Sequence, residues 1–456
     1  MFYDYICKSY TIFVEMIVNF SVKNFKSVKD AVTLSFEPAS GDELKEYYLI
    51  EPTPKVKLLK LGLIYGSNGS GKTTILYALD FLRDLVVSPS EKKTDRFNFK
   101  PFLFDPETPA ANTEFAIEFF QNQTRYEYEV ELNRDAIIRE RLSHYLTAKK
   151  SLVYQRNTDL QKKLTYIDFG ARIKLNKTHK ETLEANTLWN NTVLGGFLKT
   201  NIESKELQEV SDWFKAVLNP IITPKTNLLG FVSSKIEDGA INKANILTFL
   251  KKADFKISDI VVKEKEIALT EDVRDLIDFL NQLRRLPKEE AEKLATNKQI
   301  GKELWFEHTV DNDGRENTYE IEYVDESQGT QRYYQFSGLL DLLIRNKSVF
   351  FIDELESSLH PDLVKHFLLV FLANAEHAQL ITTTHYRELL IERDILRHDA
   401  IWFTEKKSDG GTELFSLADF DSSVIRKDTG SIYNAYKTGK LGANPILKDY
   451  HVSLDE

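Results

Sequence analysis

One short stretch limits what this chain can fold into more than any other. Gly66-Ser67-Asn68-Gly69-Ser70-Gly71-Lys72-Thr73 has the spacing of a phosphate-binding loop, with its last glycine, lysine and hydroxyl in place. The flanking sequence is the one such a loop needs. Leu58 to Tyr65 is short and mostly apolar, as in a buried strand, while Thr73 to Val86 carries Ile75, Leu76, Leu79, Leu82 and Leu85 at helical spacing. Strand, glycine-rich turn and helix in that order point to a layered α/β fold. The glycines let N–H groups from Gly66 to Thr74 converge on phosphate oxygens, and the positive end of the helix adds to the field there. Lys72 is expected on the β and γ phosphates, and the Thr73 hydroxyl on Mg²⁺.

The rest of the 456-residue chain alternates in character. Ile17 to Phe25 and Val32 to Phe36 read as a hairpin, and Phe115 to Phe119, Tyr126 to Leu132 and Ala136 to Tyr145 as further strands. Helical periodicity with many charges marks Leu183 to Leu198, Leu207 to Leu218 and Asp272 to Leu294, the last interrupted at Pro287. Strand signals return at Leu304 to Val310 and Tyr319 to Tyr323, ahead of a helix near Tyr333 to Ile344 and the apolar Ser348 to Ile352. The expected organisation is an extension over 1–15, α/β structure over 16–150, a mainly helical insertion over 151–300 and resumed α/β structure over 301–456. The charge run over 286–293 reads as a solvated helix face, with a binding tail as the alternative, and the pairs Lys149-Lys150 and Lys162-Lys163 as solvated surface, with contact to nucleic acid or a partner as the alternative.

Composition narrows the setting. With 60 Lys+Arg against 70 Asp+Glu, the net charge of −10 excludes coating of nucleic acid or an anionic membrane by bulk electrostatics. A single cysteine, Cys7, excludes an intramolecular disulfide and a multi-cysteine zinc site, and suits a reducing cytoplasm. No apolar run approaches the ~20 residues of a membrane-spanning helix. Met1 to Glu15 lacks the basic leader and small-residue cleavage site of a signal peptide, and Met16 is a second candidate start.

Three downstream segments add chemistry. Asp353 and Glu354 follow the apolar strand directly; Asp353 fits a carboxylate that helps hold Mg²⁺, and Glu354 a base that polarises an attacking water. Helix capping is the alternative role for two acids at that point. Ser327-Gln328-Gly329 opens a helical stretch and could present a hydroxyl and free N–H groups to an anion, or simply start the helix. His385 ends the apolar Leu380-Ile381-Thr382-Thr383-Thr384, where an imidazole could reach a γ phosphate. Arg139 to His144 fits the Arg-x-x-x-x-His pattern of HEPN ribonucleases, but that pattern is two residues deep and lies in a strand-like segment, so it receives no catalytic role.

Together these residues resemble the ABC-type ATPase heads of the SMC, RecF and OLD proteins. Ser327-Gln328-Gly329 stands for the signature sequence, Ser357-Ser358-Leu359-His360-Pro361 for the D-loop and His385 for the switch histidine, in the family's order. Asn24-Phe25-Lys26-Ser27 and Tyr436 to Pro445 are similar to the bacterial "AAA family ATPase" group of abortive-infection and phage-defence proteins such as RloA and AbiL. The resemblance implies ATP and Mg²⁺ as cofactors. It also implies a homodimer or higher oligomer in which Gly66 to Thr73 of one copy and Ser327 with Gly329 of the other enclose the nucleotide. The implied function is ATP hydrolysis as the sensor or switch of an anti-phage system, gating a separate effector such as a nuclease in response to a nucleic acid or phage protein. A RecF-like DNA-repair ATPase that binds duplex ends, and a scaffold with slow turnover, are the alternatives. No coiled-coil arm of SMC length and no Toprim nuclease module are recognisable in the sequence.

Overall fold

The computed structural model describes residues 14–145, 149–267, 299–395, 397–420 and 429–441. The extension up to residue 13, the expected helix Asp272 to Leu294 with its charge run, and Gly442 to Pro445 lie outside the described residues. The chain divides into two units, Met1–Asn227 with Leu342–Glu456, and Leu228–Asp341.

In the first unit, β1 (Ile17–Lys23) and β2 (Val32–Ser35) form the expected antiparallel hairpin. The single strand expected from Leu58 to Tyr65 is two strands. A small hairpin of β3 (Leu49–Thr53) and β4 (Val56–Leu59) ends at Lys60, and β5 (Leu61–Gly66) follows with all six residues buried. Lys60 makes the break: its Nζ turns inward and donates to the carbonyls of Leu372 and Ala375 at 2.8 and 2.6 Å, and burial draws its pKa down to about 8. After the glycine-rich turn, α1 (Lys72–Val87) buries Ile75, Leu76, Leu79, Leu82 and Leu85, the stripe its periodicity predicts.

Five strands then complete a seven-stranded antiparallel sheet: β6 (Thr113–Gln121), β7 (Thr124–Leu132), β8 (Ile137–Tyr145), β9 (Lys150–Asp159) and β10 (Leu164–Phe169). Its order is β10-β9-β8-β7-β6-β1-β2. β9 and β10 correct the expectation that residues 151 onward are helical. The strand β9 hides its inward face in the sequence because that face includes Arg156, which is fully buried with Glu140 at 3.5 Å rather than solvated. Helices begin at α2 (Lys177–Asn186) and continue with α3 (Val193–Phe197) and α4 (Lys205–Asp212), the last extended by a π-helical turn, Trp213–Val217. Trp213 stacks on Phe119 of β6 with centroids 3.9 Å apart, fastening this turn to the sheet.

The second unit holds α5 (Leu229–Glu237) and α6 (Lys243–Lys252), then a three-stranded antiparallel sheet of β11 (Ile257–Ile267), β12 (Gln299–Asn312) and β13 (Arg315–Glu322). The second and third of these are the strands expected at Leu304 to Val310 and Tyr319 to Tyr323; β12 is longer at both ends, while β13 starts earlier and stops at Glu322. A 3₁₀ turn at Tyr323–Asp325 leads into α7 (Gln328–Arg345). Asp341 of this helix accepts from Asn242 N at 2.9 Å and Asn245 Nδ2 at 2.6 Å, holding the start of α6.

Back in the first unit, β14 (Val349–Ile352), α8 (Pro361–Asn374), β15 (Gln379–Thr384), β16 (Ile401–Lys406), β17 (Thr412–Ser416) and α9 (Thr429–Lys437) follow. The second sheet runs β14-β15-β5-β16-β17, with the first four strands parallel and β17 antiparallel. Ile352 lies opposite Thr382, and Thr384 opposite Tyr65, so β14, β15 and β5 end at one edge. Ligands of open parallel sheets bind beyond that carboxyl edge. Among the described residues no helix is long and apolar enough to cross a membrane.

Candidate functional site

At this edge the turn from Gly66 to Gly71 wraps under the first residues of α1. Gly69 and Gly71 have φ of +77° and +111°, where a side chain would be strained. Gly66 and Gly71 are also confined: a Cβ on Gly66 would meet the Thr404 hydroxyl, and one on Gly71 the Thr412 hydroxyl. Ser70 Oγ sits 2.6 Å from Thr404 Oγ1, and Thr412 Oγ1 lies 2.8 Å from the Ser70 carbonyl. The β16–β17 hairpin therefore holds the turn from outside.

Lys72 folds back over the turn, with Nζ donating to the carbonyls of Gly66 and Ser67 at 2.8 and 3.1 Å. Burial lowers its pKa to about 8, against the opposite pull of Asp353, Glu354 and Glu356. Thr73 Oγ1 lies 3.0 and 3.1 Å from the two oxygens of Asp353, which also accepts from Thr383 Oγ1 at 2.7 Å. Asp353 thus caps no helix; α8 is capped by His360, whose side chain accepts from Asp362 N. The Thr73 hydroxyl and the Asp353 carboxylate are hard oxygen donors side by side, which suits Mg²⁺ completed by phosphate oxygens and water. Among the described residues no group of three or more His, Cys, Asp or Glu could hold a metal ion without such outside ligands.

Glu354 has φ of +49°, and its N–H donates to Thr383 Oγ1 at 2.8 Å. The side chain stays 43% exposed, with Oε1 3.9 Å from His385 Nε2. His385 Nδ1 is 3.5 Å from Lys72 Nζ, and its backbone N–H donates to Glu356 Oε1. Burial, with the Lys72 charge adding to it, lowers the His385 pKa from its ordinary value, so the imidazole is neutral at pH 7. Because an ammonium only donates, this contact leaves the imidazole proton on Nε2, facing Glu354. One cavity of 330 Å³ is lined by Ser27, Asn68, Gly69, Gly71, Lys72, Thr73, Thr74, Glu354 and His385. Residues from 27 to 385 in the sequence meet there.

Ser327 and Gly329 belong to the second unit. Ser327 Oγ accepts from Thr330 N at 3.1 Å, an ordinary helix start, and Ser327 remains exposed. Arg139 and His144 lie on β8, the first exposed and paired with Glu131 at 3.0 Å, the second buried. Sequence reasoning missed the supporting hydroxyls. Thr383 orients Asp353 and Glu354, and Thr404 and Thr412 buttress the glycine turn. Ser27, quoted only as part of a motif, donates to Thr74 Oγ1 at 2.9 Å. The run Thr382-Thr383-Thr384 at a strand end was the one available signal; Thr404 and Thr412 gave none.

The family described as an AAA ATPase domain matches residues 16–389. Among solved structures, the chain is similar to the SMC head domain from Thermotoga maritima, at 13% identity over 88% of this chain and 98% of that one, with a TM-score of 0.38. It is similar to the Smc head domain with an extended coiled coil bound to the C-terminal domain of ScpA, derived from Pyrococcus furiosus, at 14% identity over 94% and 99%, TM-score 0.36. It is also similar to the recombination mediator protein RecF with ATP, at 14% identity over 89% and 99%, TM-score 0.35. No curated protein matches.

Proposed function

The chain belongs to the AAA ATPase domain family and is an ATP-hydrolysing P-loop enzyme; from that premise we propose how its residues divide the work. The N–H groups of Gly66 to Thr74 and the Lys72 ammonium bind and orient the phosphates. Thr73 and Asp353 hold Mg²⁺, which when bound neutralises charge building on the β and γ oxygens. Glu354 accepts a proton from the attacking water, and neutral His385 donates from Nε2 toward the γ phosphate. The observation that carries this reading is the Thr73–Asp353 contact across 280 residues of sequence, with Lys72, Glu354 and His385 around the same cavity.

The same proposal makes two copies necessary. Ser327, exposed at the start of α7, and Gly329 supply from a partner copy the donors that close the γ-phosphate side, so ATP joins two surfaces and hydrolysis releases them. Such a clamp acts as the sensor or switch of an anti-phage system, gating a separate effector; the likeness of Asn24 to Ser27 and of the residues from Tyr436 to abortive-infection ATPases supports that setting. A DNA-repair ATPase is the second reading; salt-dependent binding of duplex DNA by the purified chain alone would favour it over the first. Glu354→Gln should retain ATP and sediment as a dimer in its presence, with hydrolysis reduced at least about a hundredfold. Wild-type turnover in that variant would remove Glu354 as the base, and a monomer in ATP would remove the clamp.

A further inference from the structure

Asn24-Phe25-Lys26-Ser27 builds a second cavity onto the first. Asn24 and Lys26 have φ of +54° and +49°, and Phe25 and Val28 exchange backbone hydrogen bonds at 2.9 and 2.8 Å, so the segment is a tight turn. The turn fastens the following loop. Asn24 Nδ2 donates to the carbonyls of Thr108 and Ala111 at 2.8 and 3.1 Å, Asn24 Oδ1 accepts from Phe102 N at 3.0 Å, and Lys26 N donates to the Lys100 carbonyl at 2.8 Å. Phe25 packs among Phe81, Phe99 and Phe115, with centroids 5.5 to 6.0 Å away. Against this anchoring, Leu103 and Phe104 stand out at 56% and 72% exposed. With Lys26, Asn98 and Phe99 they line a cavity of 560 Å³, and Ser27 lines both this cavity and the one at the phosphate loop.

The length of a nucleotide says what belongs there. With its β and γ phosphates at Lys72 and Thr73, its α phosphate lies at the Thr74 end of the turn, and Ser27 Oγ is 2.9 Å from Thr74 Oγ1. The nucleoside must continue from that point, and the space adjoining Ser27 is the cavity that exposes an aromatic ring. We propose that Phe104, flanked by Leu103, is the platform on which the base of ATP stacks, which makes it a substrate-binding residue; this rests on residues 66–74 being the nucleotide site. Gly410, in the turn between β16 and β17, leaves room for the ring: a Cβ there would come 2.8 Å from Phe104 Cδ2. The Lys406 ammonium lies 5.8 Å from the ring centroid. One hairpin thus borders the base platform through Gly410 and the phosphate turn through Thr412.

Inorganic tripolyphosphate has the phosphates of ATP and no base, so it separates the two cavities. Calorimetric titrations of the full chain with Mg·ATP and Mg·tripolyphosphate should show Phe104→Ala weakening ATP about tenfold, the size of one lost stacking contact, with tripolyphosphate affinity unchanged. Phe104→Trp should keep ATP affinity and add a fluorescence signal that ATP quenches and tripolyphosphate does not. Equal loss of both ligands in Phe104→Ala, unchanged ATP affinity, or a Trp signal blind to ATP would overturn the platform. So would altered sedimentation of nucleotide-free Phe104→Ala with ATP affinity intact, which assigns the patch to self-association. If the wild-type chain bound neither ligand, the phosphate-loop reading itself would fail.

Discussion

Lys72 occupies the centre of the site in a state that nucleotide must change. In the chain alone its Nζ rests on two carbonyls, and burial holds its pKa near 8 rather than 10.5. On the proposed roles, a bound triphosphate would surround it with negative charge and raise that pKa again. Below pH 8 the ammonium is charged before and after binding, so no proton moves. Between pH 8 and the raised value, the free site lacks a proton that the bound site holds; binding takes up as much as one proton, and affinity falls by up to about tenfold per pH unit. Calorimetry in buffers of different ionisation enthalpy should find no uptake at pH 7 and increasing uptake from pH 8 to 9.5, absent in Lys72→Met. Uptake that persists in that variant would place the titration elsewhere. Lys72 stood out from its neighbours in the sequence; its lowered pKa did not, because it comes from burial in the folded sheet, opposed by Asp353, Glu354 and Glu356, which lie at least 281 residues away.

At the scale of elements, the phosphate turn works as half of a pair. The strand–turn–helix unit could be read directly, since all its specified positions fall within eight residues. The hairpin that braces it could not. Thr404 comes opposite Gly66 only through the parallel register of β16 on β5, and that register is set by tertiary packing. Charge hid another element: β9 read as part of a helical insertion because Arg156, apparently a surface residue, is buried against Glu140. The Thr412 contact gives a direct test. Gly71→Ala introduces a Cβ at φ of +111° and drives it into the Thr412 hydroxyl, for a combined loss of about 1 to 3 kcal/mol in stability. Adding Thr412→Ala should restore part of it, leaving the backbone strain. Denaturation midpoints of the two single variants and the double variant measure the coupling, and simple additivity would mean that the two residues do not meet.

For the molecule as a whole, the question is whether one copy contains a complete site. Every group around the phosphate cavity comes from the first unit, while Ser327 and Gly329 belong to the second. The clamp proposal places those two donors on a neighbour's nucleotide, and two-fold symmetry then fixes the arithmetic of mixing. A Lys72→Ala pair has two dead phosphate loops, and a Gly329→Asp pair two dead signatures. In an equal mixture half of the dimers combine the variants, and each of these has one wholly intact site of two, so activity should return to roughly one quarter of wild type, somewhat less if the two sites fire together. A site built within one copy gives no such recovery, because every copy in the mixture is defective. Steady-state phosphate release from the two variants, alone and mixed, separates these outcomes without requiring a structure of the assembly. The concentration dependence of the recovered rate then reports how tightly the copies associate in ATP.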